Sequence, residues 1–255
     1  MQEKRLNDIL RYVADHEMCT HEELCRFCDV SLSTVKRDVQ TLAERGLLTR
    51  VRGGAKAPED NIAGLPRTFF RETLRYQSNL DRIAKQASQL VSDNEIVFLG
   101  SGVTVAHMIK HLRGYRNLTV ITNSIYVMQE AFQYDISVLM IGGILNRNTM
   151  SYIGIQSINQ LKDLNANAAF MSCNGIALTR GITNSSEMEG DIKKIAIQVS
   201  GKSILLADNE KFNKISLYTF AQMNDFKSVI TDQPIDDAMA KEIHDSGAQL
   251  VVVDG

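Results

Sequence analysis

Seven short segments rich in Val, Ile and Leu recur from residue 96 onward, and they constrain the fold more than any other feature. They cover residues 96–99, 118–122, 137–141, 168–172, 203–207, 228–231 and 249–253. Most are separated by stretches of helical periodicity, such as 153–164, 188–199 and 236–245. Short apolar strands that alternate with helices are typical of a mostly parallel, Rossmann-like α/β sheet, buried on both faces. We expect such a domain over residues 80–255.

Small and polar residues follow five of the predicted strands. The loops are Leu99-Gly-Ser-Gly-Val-Thr104, Thr122-Asn-Ser124, Gly142-Gly143, Cys173-Asn-Gly175 and Asp208-Asn-Glu-Lys211. Turn chemistry explains each loop separately, but ligands of parallel sheets bind outside the carboxyl ends of the strands. Their coincidence at one edge favours a polar ligand that carries a phosphate. Gly100-x-Gly102 completes neither a Walker loop nor a dinucleotide motif, so we predict no nucleotide cofactor.

Three short helices are predicted before residue 46. Apolar residues recur at helical spacing over 3–15. A second helix begins at the capping box Thr20-His-Glu-Glu23 and is expected to bury Leu24 and Cys28. A third helix covers 32–45, and Gly46 supplies the left-handed residue that ends it.

The third helix has two chemically different faces. Its apolar stripe contains Leu32, Val35, Val39 and Leu42. The opposite face offers Ser33, Arg37 and Gln40, with Thr34 and Lys36 on the flanks. Hydroxyl, guanidinium and amide groups are those that read base edges in the major groove.

A basic segment follows this helix. Residues 30–56 contain six Lys/Arg against two Asp/Glu, a net charge of +4 in a chain of net charge -2. Leu48, Arg50 and Arg52 alternate with Thr49 and Val51 before two glycines, which predicts a short hairpin, or wing. Three helices and a basic wing form a winged helix-turn-helix, the predicted domain of residues 1–56.

Two stretches carry a family resemblance. Val30-Ser-Leu-Ser-Thr-Val-Lys-Arg-Asp-Val39 and Leu42-Ala-Glu-Arg-Gly-Leu-Leu-Thr-Arg-Val-Arg-Gly-Gly-Ala55 resemble the DNA-binding domain of the DeoR family of bacterial transcriptional regulators. Lys36 departs from the Arg or His that is usual there, so we assign it to a phosphate. Ser33, Arg37 and Gln40 are predicted to contact base edges; Thr34, Lys36, Arg50, Arg52 and the Gly53 and Gly54 amides are predicted to contact phosphates. Asp38 is expected to pair with an arginine of its own domain.

The strand-end loops resemble the C-terminal sensor domain of the same family, whose fold is related to ribose-5-phosphate isomerase and the CoA transferases. The resemblance implies that Ser101, Gly102 and Thr104 cradle the phosphate of an effector, with Asn123, Ser124, Gly142 and Gly143 around it. It implies that Asn174, Gly175, Asp208 and Lys211 hold sugar hydroxyls, and it assigns an acidic role to Glu187. The family loop usually reads Asp-Ser-Gly-Thr-Thr, whereas Gly100 and Val103 stand at two of those positions here.

The four cysteines allow a second interpretation. Cys19, Cys25 and Cys28, with His16 and His21 nearby, supply enough atoms for zinc. No second pair of cysteines follows at the spacing of a zinc ribbon or finger, so we favour ordinary thiols and predict no metal site. The chain also has no apolar run near 20 residues and no secretory leader pattern, which favours a cytoplasmic protein.

These patterns predict a DNA-binding transcriptional regulator with a linker over residues 57–79. It is expected to be a homo-oligomer (dimer or tetramer) and a repressor of a carbohydrate-metabolism operon, with double-stranded operator DNA as its partner and a phosphorylated sugar as its effector. The alternative is an enzyme related to sugar-phosphate isomerases with an accessory DNA-binding domain, in which Asp208, Lys211 and Glu187 transfer protons. We favour a protein without catalytic residues. The particular sugar phosphate, the operator sequence, and the choice between repressor and activator are not determined by the sequence.

Overall fold

A computed structural model describes residues 2–16, 18–44, 47–56 and 79–253. The chain divides into two compact units, Met1–Gln77 and Ser78–Gly255. Gly46 and nearly all of the predicted linker over 57–79 lie outside the described residues. The predicted domain boundaries therefore stay a prediction.

The first unit is a winged helix-turn-helix, as predicted. It contains α1 (Gln2–His16), β1 (Met18–Thr20), α2 (His21–Cys28), α3 (Leu32–Glu44), β2 (Thr49–Val51) and β3 (Gly54–Lys56). The predicted capping box begins α2, since the Thr20 hydroxyl accepts from the Glu23 amide and the Glu23 carboxylate accepts from the Thr20 amide. The sheet order is β1-β3-β2, so the wing hairpin gains a third strand that the sequence pattern did not predict.

The buried face of α3 differs from the prediction at two positions. Val35, Val39 and Leu42 are fully buried, but Leu32 is 46% exposed because it is the first residue of the helix and precedes the packed turns. Asp38 is 1% exposed and accepts from Arg5 Nε at 2.5 Å. This ion pair with an arginine of the same unit confirms the expected role of Asp38, and it orients α3 on α1.

Gly54 is required where β3 passes β1. A Cβ at this position would lie 2.0 Å from the Cys19 carbonyl oxygen, closer than any packed atoms. The preceding Gly53 has a φ of +83° in the wing turn, but a Cβ there would meet open space. The two glycines therefore serve different needs, close approach at Gly54 and a left-handed backbone at Gly53.

We predict that Gly54→Ala destabilises the β1–β3 pairing by about 1–3 kcal/mol, because the new methyl group forces two backbones apart. Hydrogen–deuterium exchange of residues 18–20 and 54–56 in the full chain measures this effect. Gly53→Asn is the control, since Asn tolerates the left-handed region. Equal protection of β1 and β3 in Gly54→Ala and the parent chain would contradict the prediction.

The second unit contains a seven-stranded sheet and smaller elements around it. Its helices are 79–88 (α4), Val103–Ala106 (α5), Ile109–Leu112 (α6), Ile125–Gln133 (α7), Ile155–Lys162 (α8), Glu187–Gln198 (α9) and Asp237–Asp245 (α10). Its strands are Ile96–Leu99 (β4), Thr119–Thr122 (β5), Ser137–Met140 (β6), Ile144–Asn146 (β7), Ser151–Ile153 (β8), Ala168–Met171 (β9), Gly175–Ala177 (β10), Gly181–Asn184 (β11), Ser203–Leu206 (β12), Tyr218–Ala221 (β13), Ser228–Thr231 (β14) and Gln249–Val252 (β15).

The large sheet is doubly wound. Its order is β15-β14-β12-β9-β4-β5-β6, and every neighbouring pair is parallel. These are the seven predicted strands, which confirms the predicted Rossmann-like fold class. The chain leaves β4 toward β5 and β6, then returns to the other side of β4 as β9. In a sheet of this kind, that change of direction opens a crevice at the carboxyl ends of the two central strands.

Five short strands were not predicted. Strands β7 and β8 form a hairpin, and β10, β11 and β13 form a small antiparallel sheet. Each has only three or four residues, several of them Gly, Ser, Thr or Asn, so no apolar pattern marks them. The helix predicted over 153–164 begins instead at Ile155, because Ile153 ends β8 and Gly154 turns the chain with a φ of +98°.

Among the described residues, no helix combines the length and the apolar character that crossing a membrane requires.

Candidate functional site

The loops that follow β4 and β9 meet at the change of strand direction. Ser101 and Thr104 are both buried in the loop and helix that follow β4. Ser172, after β9, donates from its hydroxyl to the Ser101 carbonyl at 3.1 Å. Gly102 has a φ of +135°, and a Cβ there would lie 2.2 Å from Ser172 Oγ, so only glycine lets the two loops meet. Ser101, Gly102 and Thr104, predicted from sequence, therefore lie at the change of strand direction.

A buried carboxylate that the sequence prediction missed lies behind this loop. Glu189 of α9 is 4% exposed. Its Oε1 accepts from Ser151 Oγ at 2.9 Å and from Ser101 Oγ at 3.5 Å. Its Oε2 accepts from Asn184 Nδ2 at 3.1 Å. Residues from three separate segments thus converge on one carboxylate.

Lys193, one helical turn after Glu189, is also buried. Its ammonium donates to the Ser172 carbonyl and to Asn184 Oδ1, both at 2.8 Å. Burial lowers the pKa of Lys193, and the charge of Glu189 opposes that shift. Positions 189 and 193 share the inward stripe of α9 with Ile192 and Ala196. That periodicity was the available signal, but an acid and a lysine four residues apart more often lie on an exposed face.

The structure shows a second acidic residue beside the predicted Glu187. Glu187 is the first residue of α9 and is exposed, whereas Glu189 is turned inward. Two residues rotate the side chain by about 200° around a helix with 3.6 residues per turn. The acidic group that meets the Ser101 loop is therefore Glu189.

Asn123 and Ser124 anchor the β8 segment beside this cluster. The Asn123 side-chain amide donates to the Tyr152 carbonyl at 2.9 Å, and Ser124 forms an antiparallel bridge with Ser151. The Ser124 hydroxyl also accepts from the Val127 amide at the start of α7. Their described contacts hold Ser151 in position for Glu189.

Gly142 and Gly143 are packed against α8 rather than against the Glu189 cluster. The Gly142 carbonyl accepts from Ser157 Oγ at 2.7 Å. A Cβ on Gly143 would lie 2.1 Å from Ser157 Oγ. Close approach therefore explains Gly143, whereas a Cβ on Gly142 would lie 3.9 Å from Gln160 Nε2, an ordinary contact.

Asn174 and Gly175 also have structural contacts. The exposed Asn174 accepts from the Ser185 amide at 3.0 Å. Gly175 is buried in β10, where a Cβ would lie 2.4 Å from the Lys214 carbonyl oxygen. The backbone of Gly175 therefore packs directly against the backbone of Lys214.

Asp208 and Lys211 occupy the end of β12. Asp208 is buried, and its Oδ1 has no hydrogen-bond partner among the described residues. Lys211 Nζ lies 3.9 Å from Asp208 Oδ2. Burial raises the pKa of Asp208 against the opposing charge of Lys211. A buried acceptor without a partner is a place where a ligand hydroxyl gains a hydrogen bond.

The predicted DNA-contacting side chains lie on the outer face of α3. Ser33, Lys36, Arg37 and Gln40 are exposed, and Thr34 is partly exposed. The Ser31 hydroxyl lies 2.9 Å from the hydroxyls of both Ser33 and Thr34. Gln40 Nε2 donates to Glu44 at 2.9 Å. Gln40 must break this hydrogen bond before its amide can bind a base.

The wing adds positive charge beside α3. Arg50, Arg52 and Gly53 are exposed. Burial lowers the pKa of His21, and the charges of Lys36 and Arg50 act in the same direction, so both cations lie close to this histidine. The prediction of a phosphate contact fails for Gly54, which is buried against β1.

The N-terminal cysteines pack with the core of their unit. Cys19 is buried, and burial raises the pKa of its thiol to about 11. Cys25 and Cys28 are partly buried against the same apolar cluster. No three His, Cys, Asp or Glu side chains within the described ranges are grouped to hold a metal ion.

His107, three residues after Thr104, gives the sensor unit a pH dependence. Burial lowers the pKa of His107 to about 4, with Lys110 adding to the shift. Because the unfolded chain takes up this proton near pH 6.5 and the folded chain does so only near pH 4, the folded state loses stability as pH falls between these values.

We predict that His107→Gln makes the protein less sensitive to acid. Between pH 6.5 and 4, the unfolding free energy of the variant falls by up to about 3 kcal/mol less than that of the parent chain. Denaturant unfolding at several pH values measures it. His244→Gln is the control, because that side chain is 90% exposed. Identical pH profiles for His107→Gln and the parent chain would show that this histidine is not responsible.

Both units match the sequence patterns of known domains. The DeoR-like helix-turn-helix domain matches residues 5–61, and the DeoR C terminal sensor domain matches residues 77–233. The chain belongs to the DeoR family of transcriptional regulators. This DeoR-family regulator is therefore a DNA-binding protein, and its family membership favours the regulator interpretation over the isomerase alternative.

Full-length relatives agree with this assignment. The HTH-type transcriptional regulator IolR of Bacillus subtilis (strain 168) is 34% identical over 238 residues, covering 93% of this regulator and 94% of that protein. The HTH-type transcriptional repressor GlcR of the same organism is 30% identical over 254 residues, covering 99% and 97%.

The likeness to solved structures is more distant. Ribose 5-phosphate isomerase A of Methanocaldococcus jannaschii has a TM-score of 0.39 and 20% identity to the DeoR-family regulator, covering 52% of this chain and 53% of that chain.

Proposed function

We propose that the protein represses a carbohydrate-metabolism operon and that a phosphorylated sugar modulates its affinity for operator DNA. The observation that carries the proposal is the buried polar cluster at the change of strand direction, in a chain that also presents Lys36 and Arg37 on the exposed face of α3. A relative named as a transcriptional repressor covers nearly the whole chain, which supports the repressor role.

The outer face of α3 is proposed to select the operator sequence. Ser33, Arg37 and Gln40 are proposed to contact base edges, and each good pair contributes about 1–3 kcal/mol of discrimination. Thr34, Lys36, Arg50, Arg52 and the Gly53 amide are proposed to contact phosphates, which set register and affinity but carry little sequence information. Gly54 leaves this set because it is buried.

The effector is proposed to bind in the crevice between β4 and β9. Ser101, Gly102 and Thr104 contribute from one side, with Asn123 and Ser124 behind them. Asp208 and Lys211 contribute from the next strand, where the free Asp208 Oδ1 accepts a sugar hydroxyl. The change of strand direction supports this location, since open α/β sheets bind their ligands there.

Regulation follows from linkage between effector and operator in a homo-oligomer. Two winged helices are needed to read two half-sites, so the arrangement of the sensor units sets the spacing of the recognition helices. A coupling free energy of about 1–3 kcal/mol, typical of allosteric proteins, changes operator affinity about 5- to 150-fold.

We predict that Arg37→Ala lowers the ratio of operator to random-DNA affinity about 5- to 150-fold, because it removes a base contact worth about 1–3 kcal/mol. Fluorescence anisotropy with both DNAs at one salt concentration measures the ratio. Arg180→Ala, an exposed arginine of the sensor unit, is the control. An unchanged ratio for Arg37→Ala would contradict the assignment of α3.

A screen of sugar phosphates tests the proposed effector. A ligand at about 100 times its dissociation constant adds about 2.7 kcal/mol to the stability of the folded state, which a thermal-shift assay detects. We expect at least one of D-glucose 6-phosphate, D-fructose 6-phosphate and D-ribose 5-phosphate to stabilise the protein and to change operator affinity. If none of them does either, a phosphorylated sugar of this kind is not the effector.

A further inference from the structure

Asp232, the first residue after β14, holds a buried carboxylate between two distant segments of the sensor unit. Asp232 is 6% exposed. Its Oδ1 accepts from the backbone amide of Asn209 at 2.7 Å, and its Oδ2 accepts from Asn79 Nδ2 at 2.9 Å. One carboxylate therefore joins the start of α4 to the turn that follows β12.

Asn79 lies where the chain enters the sensor unit. That unit begins at Ser78, and α4 begins at residue 79. Arg82 Nη2 donates to Asn79 Oδ1 at 3.1 Å. Because an amide oxygen only accepts and an amide nitrogen only donates, this bond turns the nitrogen of Asn79 toward Asp232. The first turn of α4 is thereby bonded to the end of β14.

Asn209 belongs to the turn that carries part of the proposed effector site. It directly follows Asp208 and begins the short 3-10 helix Asn209–Lys211. Its side-chain amide donates to the Pro234 carbonyl at 2.8 Å, in addition to the bond between its backbone amide and Asp232. The turn that presents Asp208 and Lys211 is therefore held by two residues that follow β14.

The charge of Asp232 also acts on Asp208. Burial raises the pKa of Asp208, Lys211 opposes that shift, and the negative charge of Asp232 adds to it. A ligand hydroxyl that donates to the buried Asp208 Oδ1 stabilises the ionised form and so increases the repulsion between the two carboxylates. Occupancy of the proposed site therefore changes the electrostatic environment of Asp232.

A buried carboxylate follows its donors when they move. Leaving one of its oxygens without a hydrogen bond costs the full desolvation of that oxygen, more than an intact bond contributes to stability. A displacement of the Asn209 backbone by a ligand is consequently passed to Asp232, and from Asp232 to the side chain of Asn79.

We infer that Asp232 couples the proposed effector site to the start of the sensor unit, so that a ligand held by Asp208 and Lys211 repositions Asn79 and the first turn of α4. The DNA-binding unit precedes this point in the chain. Asp232 and Asn79 are positioning residues, since neither is assigned a contact with the effector. The inference rests on the proposed function and names the regulatory connection of its site.

Asn79→Ala tests the inference, because it removes one donor of Asp232 and changes no proposed effector contact. Fluorescence anisotropy measures binding of the full chain to operator DNA, selected from a random duplex pool by the parent chain. The measurement is repeated with saturating D-glucose 6-phosphate, D-fructose 6-phosphate or D-ribose 5-phosphate. We expect the effector-dependent change in operator affinity to be about 2- to 30-fold smaller than in the parent chain.

Binding of the sugar phosphate itself is expected to survive. Its dissociation constant, measured by isothermal titration calorimetry, should stay within about threefold of the parent value, because the lost hydrogen bond lies outside the site. Gln89→Ala is the matched control, since it removes an amide from an exposed position just after the same helix. Asp232→Asn is a second variant with the same expected loss of coupling, because an amide keeps one of the two acceptor oxygens and leaves Asn209 or Asn79 without its partner.

The outcomes separate this inference from the proposed function. An Asn79→Ala protein that retains the full change in operator affinity overturns the inference, as does an equal reduction in Gln89→Ala. Loss of sugar-phosphate binding in Asn79→Ala also overturns it, since Asn79 then belongs to the site itself.

If no sugar phosphate alters the operator affinity of the parent chain, the proposed function fails. Hydrogen–deuterium exchange without ligand then still decides whether Asp232 links the two segments. Asn79→Ala is expected to speed exchange of the Asn209 amide about fivefold, as the loss of one hydrogen bond gives. An unchanged exchange rate of this amide shows that the link does not exist.

Discussion

The change of strand direction between β4 and β9 is the constraint on which the sensor unit depends. Parallel strands require crossover connections, and the chain crosses first to one side of β4 and then to the other. The loops after β4 and β9 leave the sheet at this point with only a narrow gap between them, at the place where open α/β sheets bind their ligands. Ser172 donates to the Ser101 carbonyl across this gap, and Gly102 allows the approach because it has no side chain.

Buried charge at this gap needs internal partners. Taking a carboxylate or an ammonium out of water costs several kcal/mol, which a close partner and complete hydrogen bonding must offset. Glu189 receives three donors, and Lys193 donates to two oxygens. Because these partners come from the loops after β4 and β9, from β8 and from β11, the network joins segments that are distant in the chain. A site of this kind is assembled by the fold and preorganised before a ligand arrives.

The DNA-binding unit uses the same principle on a smaller scale. Asp38 is almost fully buried and pairs with Arg5, so the charge on the inner face of α3 is directed to another helix. The outer face is then free to offer Lys36 and Arg37 to solvent or nucleic acid. The structural ion pair and the proposed recognition surface therefore lie on different faces of the same helix.

The periodicity of the sequence predicted the seven parallel strands, the three helices of the first unit and the wing, because apolar spacing reports directly on which face of an element is buried. Ser101, Gly102 and the outer residues of α3 were predicted for the same reason, since strand ends and polar helix faces are local properties. The five short strands lacked such a pattern because each has only three or four residues, too few for an apolar period to show, although Ile176, Ile182 and Phe220 of the small antiparallel sheet are buried in the core.

The sequence by itself therefore determined the fold class, the seven strands of the parallel sheet and the polar outer face of α3. The tertiary structure decided that Glu189, and not Glu187, faces the Ser101 loop, that Lys193 is buried, and that Gly54 is packed rather than exposed. The physical reason is that a charged residue on a helix, or a glycine in a strand, looks alike in sequence whether water or another chain segment lies beside it. Only the packing of distant segments distinguishes the two cases.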